Sequence, residues 1–307
     1  MIFPLVSNEK IRETVENFVK SNHFPHAILI EGEAGLGKKT LCKFLAAAAL
    51  CQSENGAPCG ECKSCKMLAA DSHPDLCVTA LQDKKKSITV AQIRQMRDEA
   101  FIKPQNASRK VMVIEQAHTL NEQSQNALLK VLEEPPGQTV FILLAENKSA
   151  LLPTVISRVI TLCLTPPPSK VAFDYLKKQN PKVDDEKIRE ALAVTRNNIG
   201  KAAAGLKKKS FSKAYAAAEE FLRLYLFGAN KYELLKITAK LDKDRGFANE
   251  FLKELKFAIS NSLKENVNKG IKLAKLVKLD GLITEKSPLL QTNINLALFF
   301  SGFISKL

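Results

Sequence analysis

Residues 8–21 place Ile11, Val15, Phe18 and Val19 on one face at helical spacing, and residues 27–30 follow as a short apolar run of the kind a buried strand needs. That run leads into GEAGLGKKT and then into an alanine-rich apolar stretch, residues 41–50, with the length and propensity of a helix. Strand, glycine loop and helix come in that order. Further strands are expected at residues 76–80, 111–114, 140–145 and 159–164, each apolar and partly β-branched. Helical patterns separate most of them, one carried by Val90, Ile93, Arg94, Arg97 and Phe101, the next by Ala127, Leu128, Val131 and Leu132. Such alternation predicts parallel strands joined by crossover helices, an α/β domain covered on both faces.

Pro166, Pro167 and Pro168 stop both helix and sheet and mark a stiff boundary. Beyond them the strand signal almost vanishes, and residues 170–179, 184–195, 213–226, 232–241, 248–265 and 292–305 read as helices. The fold class expected is therefore α/β plus all-α. Residues 1–165 form the α/β domain, 166–207 a small helical unit ending near the lysine run 207–209, and 208–307 a larger helical bundle. A chain of 307 residues has room for two or three cores. The sequence carries no internal repeat.

With 45% hydrophobic and 25% charged residues the composition excludes a disordered chain or a low-complexity scaffold. Its outlier is charge: 46 Lys and Arg against 32 Asp and Glu give +14, which suggests an anionic partner such as nucleic acid or a membrane surface. The surplus is concentrated beyond residue 165, so it does not point to the α/β domain. The longest apolar run, residues 44–51, is far short of the roughly 20 residues that cross a bilayer. MIFPLVSNEK lacks the basic and apolar regions of a secretory signal, and seven cysteines, an odd number, favour a reducing cytoplasm over a disulfide framework.

Residues 32–39 fit G-x-x-x-x-G-K, in which Gly32, Gly35 and Gly37 let backbone N–H groups curl around phosphates and Lys38 reaches the terminal ones. The flanking strand and helix supply the context that such a motif requires. A working loop ends in Ser or Thr, whose hydroxyl holds Mg²⁺, whereas Lys39 stands there and Thr40 comes one residue late, about 100° around the helix. The companion acidic motif should be a hydrophobic strand ending in Asp and Glu. Here residues 111–114 are followed by Glu115, whose longer arm misplaces its charge for a metal, and by Gln116, which cannot act as a general base. Both departures argue against hydrolysis by this chain and leave nucleotide binding in question.

Cys51, Cys59, Cys62 and Cys65 give C-x7-C-x2-C-x2-C in a polar stretch with Gly56, Pro58 and Gly60 available for turns. Four thiolates so close suit tetrahedral Zn²⁺, and a site filled by protein ligands is structural rather than catalytic. Four ordinary thiols are one alternative and an iron–sulfur cluster another, although the fourth cysteine and proline of a ferredoxin run are missing. Cys42, Cys77 and Cys163 lie in apolar patterns and read as core. His23, His26, His73 and His118 have no nucleophile at a telling spacing and read as structural. Short lysine runs at residues 84–86 and 207–209 are candidates to touch DNA phosphates, but such runs are more often solvated loops.

HAILIEGEAGLGKKTL, the four-cysteine insertion, the HPD at residues 73–75, NALLKVLEEPP at residues 126–136 and Ser157-Arg158 together resemble the bacterial DNA polymerase III clamp-loader subunits of the AAA+ superfamily. The resemblance covers residues 1 to about 205 well and the last hundred loosely. It implies an AAA+ P-loop module with a zinc insertion, a small helical lid and a C-terminal helical collar. Within that family the ATPase subunits, gamma and tau, carry intact phosphate and acidic motifs, whereas the delta prime type is often degraded there, as Lys39 and Gln116 are here. The resemblance further implies that Arg158, on the family's Ser-Arg-Cys motif with Val159 in place of Cys, reaches the ATP of a neighbouring subunit. An always-charged planar guanidinium suits a transferring γ-phosphate. Asn147 stands near the expected polar sensor, and Lys201, after Asn198-Ile199-Gly200, replaces the usual sensor-two arginine.

The implied role is a largely rigid stator of the DNA polymerase III holoenzyme, with gamma/tau and delta type subunits, the sliding clamp and primer-template DNA as partners. An active gamma/tau-like ATPase, with Thr40 and Glu115 rescuing the metal, is the alternative. A zinc-dependent DNA-binding module is a third reading.

Overall fold

The computed structural model describes residues 3–53, 58–82, 85, 87–208, 213–239, 244–265, 270–292 and 294–307. Lys84, Lys86, Lys209, Leu241 and Gly56 of the readings above lie outside the described residues. The chain divides into two compact units, Met1–Ala204 and Gly205–Leu307.

In the first unit a parallel sheet runs in the order β2-β3-β4-β1-β5, from β1 (Ala27–Glu31), β2 (Leu76–Thr79), β3 (Lys110–Ile114), β4 (Thr139–Ala145) and β5 (Ile160–Cys163). Period-two alternation divides the central strands between two cores. Ile28, Ile30, Val111, Val113, Val140, Ile142 and Leu144 face α1 (Glu9–Lys20) and α2 (Lys38–Leu50). Ala27, Leu29, Met112, Ile114, Phe141 and Leu143 face α4 (Val90–Ala100), α5 (Glu122–Glu133) and the short α6 (Pro153–Ile156). Both faces of β1, β3 and β4 are covered, which is why these strands read as unbroken apolar runs.

Local signals set the helix starts. Thr89 and Gln92 form a reciprocal capping box on α4, and the Asn121 side chain accepts from the Ser124 backbone to open α5. The short α3 (Lys63–Ala69) belongs to the cysteine insertion between α2 and β2. After the prolines come α7 (Ser169–Gln179), α8 (Asp185–Val194) and α9 (Ile199–Lys208), and residues as far as Ala204 cluster with the sheet unit.

The second unit is helical: α10 (Lys213–Phe227), α11 (Lys231–Thr238), α12 (Arg245–Glu265), α13 (Gly270–Lys286) and α14 (Leu296–Ser305). Its core is rich in phenylalanine, with Phe221 edge-on to Phe251 at 5.7 Å and Phe251 edge-on to Phe300 at 6.0 Å.

Three expectations are corrected. The helix expected from residue 292 begins at Leu296, because the Asn295 side chain accepts from the backbone N–H groups of Ala297 and Leu298 and fixes the cap there. The face of α4 that is buried is Ile93, Met96 and Ala100, while Phe101 is 64% exposed beyond the helix end. Cys163 is exposed, because β5 is an edge strand with less cover than the centre of the sheet. The helix α13 was not among the expected elements, since lysines interrupt its apolar positions.

Candidate functional site

The glycine loop leaves the C-terminal end of β1, next to β4 in the centre of the sheet, where open α/β sheets hold their ligands. Gly35 and Gly37 adopt φ of 92° and 93°, a left-handed conformation that side chains rarely accept, and Gly37 caps α2. Lys38 turns back and donates to the Gly32 carbonyl. Burial is the main force that lowers its pKa, so the ammonium sits in a site that disfavours its charge.

Lys39 and Glu115 meet. The Lys39 ammonium donates to Glu115 Oε2 at 2.7 Å, joining the position where a working loop carries its hydroxyl to the one where it carries its acidic metal partner. The Lys39 side chain keeps 69% of its exposure, so this pair weakens, rather than blocks, the hold of the carboxylate on a divalent metal. Gln116 follows with φ of 54° as the turn after β3, and Thr40 lies exposed in the first turn of α2.

The start of α9 closes the loop from above. Asn198 donates to the Ala34 carbonyl at 2.9 Å, and Lys201 pairs with Glu33 at 2.9 Å. Gly200 is pressed so close to Gly35 that a Cβ on it would collide with the Gly35 carbonyl oxygen. What remains is a cleft of about 210 Å³ lined by Leu5, Gly35, Gly37, Thr40, Tyr175 and Ile199. That is below the roughly 300–1,000 Å³ usual for small-molecule sites. Asn147 is occupied locally, its side chain accepting from the Ser149 backbone at 2.9 Å.

The four cysteines converge, their sulfur atoms all within 4.8 Å of one another. Cys51 to Cys62 is 4.0 Å and Cys59 to Cys65 is 3.9 Å, near the sulfur–sulfur edge of about 3.8 Å that Zn–S bonds of about 2.3 Å impose on a tetrahedron. The backbone of Cys62 donates to Cys59 Sγ and that of Cys65 to Cys62 Sγ, which favours thiolates over thiols. Backbone donors from Cys62 and Glu61 bring Cys59 down to about 6, whereas burial pushes Cys65 up to about 12. The tetrad fits a structural zinc site.

The buried Asp75 ties this insertion to the sheet. Its carboxylate accepts from the backbones of Gln105 at 2.7 Å and of Asn106 and Ala107 at 2.8 Å. Asn106 in turn accepts from Lys63 of α3 at 3.3 Å and, through its carbonyl, from Gln52 at 2.5 Å. His73 accepts from the Asp75 backbone, and burial lowers its pKa. The HPD sequence is thus a loop anchor.

Arg158 lies just beyond α6. Its Nη2 donates to Glu133 at 2.6 Å and its Nη1 to the Thr154 carbonyl at 2.9 Å. The His26 ring lies 3.1 Å from the Arg158 carbonyl oxygen. His118 accepts from the Glu146 backbone at 3.2 Å.

The family model described as DNA polymerase III, delta subunit, matches residues 7–168. Over 245 residues the chain is 30% identical to the DNA polymerase III subunit delta' of Bacillus subtilis, a match covering 80% of this chain and 68% of that one. The chain belongs to the DNA polymerase III delta prime family. To the Pseudomonas aeruginosa delta prime subunit it is 39% identical over 171 residues, 55% of this chain and 52% of the relative, so with several delta prime relatives the match spans about half their length. The tau subunit of B. subtilis is 35% identical over 155 residues, 50% of this chain and 27% of that one. Among solved structures, a gamma subunit-related protein of Thermotoga maritima superposes with a TM-score of 0.49 at 17% identity, covering 95% and 97% of the two chains.

In this delta prime chain the sequence singled out Lys39, Glu115, the cysteines and Arg158, but not what several of them touch. Glu33, Asn198, Asp75 and Glu133 escaped as site residues because their roles depend on partners remote in the chain. Glu133 was legible only as a letter of the motif at residues 126–136.

Proposed function

We propose that this chain is a delta prime-type stator of the DNA polymerase III clamp loader, which helps place the sliding clamp on primed DNA without hydrolysing ATP itself. The absence of a metal-holding hydroxyl at Lys39 and of a base at Gln116 carries this reading, and the exposed ion pair between Lys39 and Glu115 supports it. An ammonium 2.7 Å from the acidic residue competes with Mg²⁺ for its charge, and Gln116 beside it offers no base. The tight seating of Gly200 on Gly35 and the small cleft support a phosphate loop kept for its shape.

In this reading residues 1–165 are the AAA+ module, 166–207 the lid and 208–307 the collar that joins gamma/tau and delta type subunits. The cysteine tetrad holds structural zinc. Arg158 serves the neighbouring ATPase as an arginine finger, its planar charge set against the γ-phosphate; in other systems such a residue is worth about 10³–10⁵ in rate.

Two measurements test the proposal. Steady-state turnover by the isolated chain is expected to be at background and indifferent to Lys38→Ala, and turnover that this substitution abolishes would establish a motor subunit instead. In a loader reconstituted with its partner subunits, Arg158→Ala is expected to lower clamp- and DNA-stimulated ATPase while assembly persists. An unaltered stimulated rate would remove the finger role.

A further inference from the structure

The guanidinium of Arg158 is not free in the isolated chain. Besides Glu133 and the Thr154 carbonyl, Ser157 Oγ lies 3.3 Å from its Nη1, so both terminal nitrogens are held by the chain's own atoms. Two sequence motifs that are separate along the chain, at residues 126–136 and 157–158, therefore meet in space through one carboxylate.

Helix stability does not account for that carboxylate. Glu133 stands in the last turn of α5, at the negative end of the helix dipole, where an anion is disfavoured and a cation welcome. The Arg158 charge offsets this disadvantage. The pair is also open: the side chains of Arg158 and Glu133 keep 34% and 47% of their exposure, so another molecule can reach the arginine without unfolding anything. Exposed pairs of this kind are weak. A phosphate group, with more charge and more acceptor oxygens, is the stronger partner for a guanidinium.

We propose that Glu133 is the intrachain counter-ion of Arg158 and holds the arginine in a resting position until a neighbouring subunit's nucleotide phosphate displaces it. The inference rests on the finger role proposed above and adds a control to it. Glu133 acts through Arg158 and touches no substrate. Its exchange for phosphate makes the finger conditional on the neighbour being brought close, as clamp and DNA binding would do.

The test is a loader reconstituted with Glu133→Gln, which keeps the size of the side chain and removes its charge. ATPase without clamp and DNA is expected to rise about two- to fivefold, the range an exposed pair can supply, so that the stimulation ratio narrows. Arg158→Ala on top of Glu133→Gln should return the rate to that of Arg158→Ala alone, a dependence that general loosening of α5 would not produce. Glu133→Ala is the second variant, and the melting temperature of each isolated chain should move by no more than about 4 °C. If Arg158→Ala lowers stimulated ATPase but neither Glu133 variant raises the unstimulated rate, the finger stands and the holding role is wrong. A Glu133 variant that instead lowers the stimulated rate also overturns it. If Arg158→Ala changes nothing, the finger role falls and this proposal falls with it.

Discussion

Lys39 and Glu115, 76 positions apart in sequence, form a 2.7 Å ion pair at the mouth of the phosphate loop. The pair unites two departures from the P-loop pattern that look independent along the chain. The position that lacks the hydroxyl carries a positive charge, and the acidic residue at the other place binds that charge.

ATP affinity should follow from this pair. For the isolated wild-type chain, calorimetric titration is expected to show Mg²⁺-independent binding at most, weaker than about 1 mM, the weak end of ordinary specific binding. Lys39→Ser should introduce a Mg²⁺-dependent component without turnover, because Gln116 remains. Tight Mg²⁺-dependent binding by the wild-type chain would show that the ion pair opens readily.

Gly200 tests how firmly α9 is seated on the loop. A methyl group at this position meets the Gly35 carbonyl oxygen, so Gly200→Ala should cost about 1–3 kcal/mol in urea unfolding, as overpacking does. Gly302 has open space around it, and Gly302→Ala in α14 is the control expected to be neutral or slightly stabilising.

Metal analysis of purified protein should find about one Zn per chain. Cys65→Ser removes the most buried of the four ligands and should abolish that content, with protease cleavage appearing between residues 51 and 69. Wild-type protein without zinc, all four thiols reacting freely, would reject the site.

Asp75 predicts acid sensitivity of the first unit. Burial alone would raise its carboxyl, but backbone donors from Gln105, Asn106 and Ala107 outweigh burial and hold it below the ordinary range. A carboxyl depressed by folding contributes stability that is present above its unfolded value, about 3.9, and is lost as pH falls through the folded value. His73, lowered by burial, acts in the same sense from about pH 6.5 downward. Urea midpoints should therefore fall progressively below pH 6.5 and more steeply below pH 4. Asp75→Asn should cost about 2–4 kcal/mol at neutral pH and flatten the acidic limb, since its amide cannot accept from all three donors.

The sequence by itself determined the strands, the glycine loop and the cysteine spacing, because these features are set within a few residues. Unbroken apolar runs specify strands buried on both faces, and three of the four cysteines recur at an interval of three, which keeps them close along the chain. The chemistry missing from the phosphate loop was equally legible, since Lys39 and Gln116 lack the required groups wherever they point. Even the misjudged positions follow this rule: Cys163 looks like core by its neighbours, and its exposure comes from β5 lying at the edge of the sheet.

Tertiary structure alone decided the partners. Whether Lys39 faces solvent or Glu115, whether Asp75 ends a turn or gathers a loop, and whether Arg158 is free or held by Glu133 each depends on which strands lie side by side. Sequence periodicity states which face of an element is apolar. It does not state which charged group from another element will stand a hydrogen-bond length away, because that distance is fixed only when the sheet assembles in its β2-β3-β4-β1-β5 order.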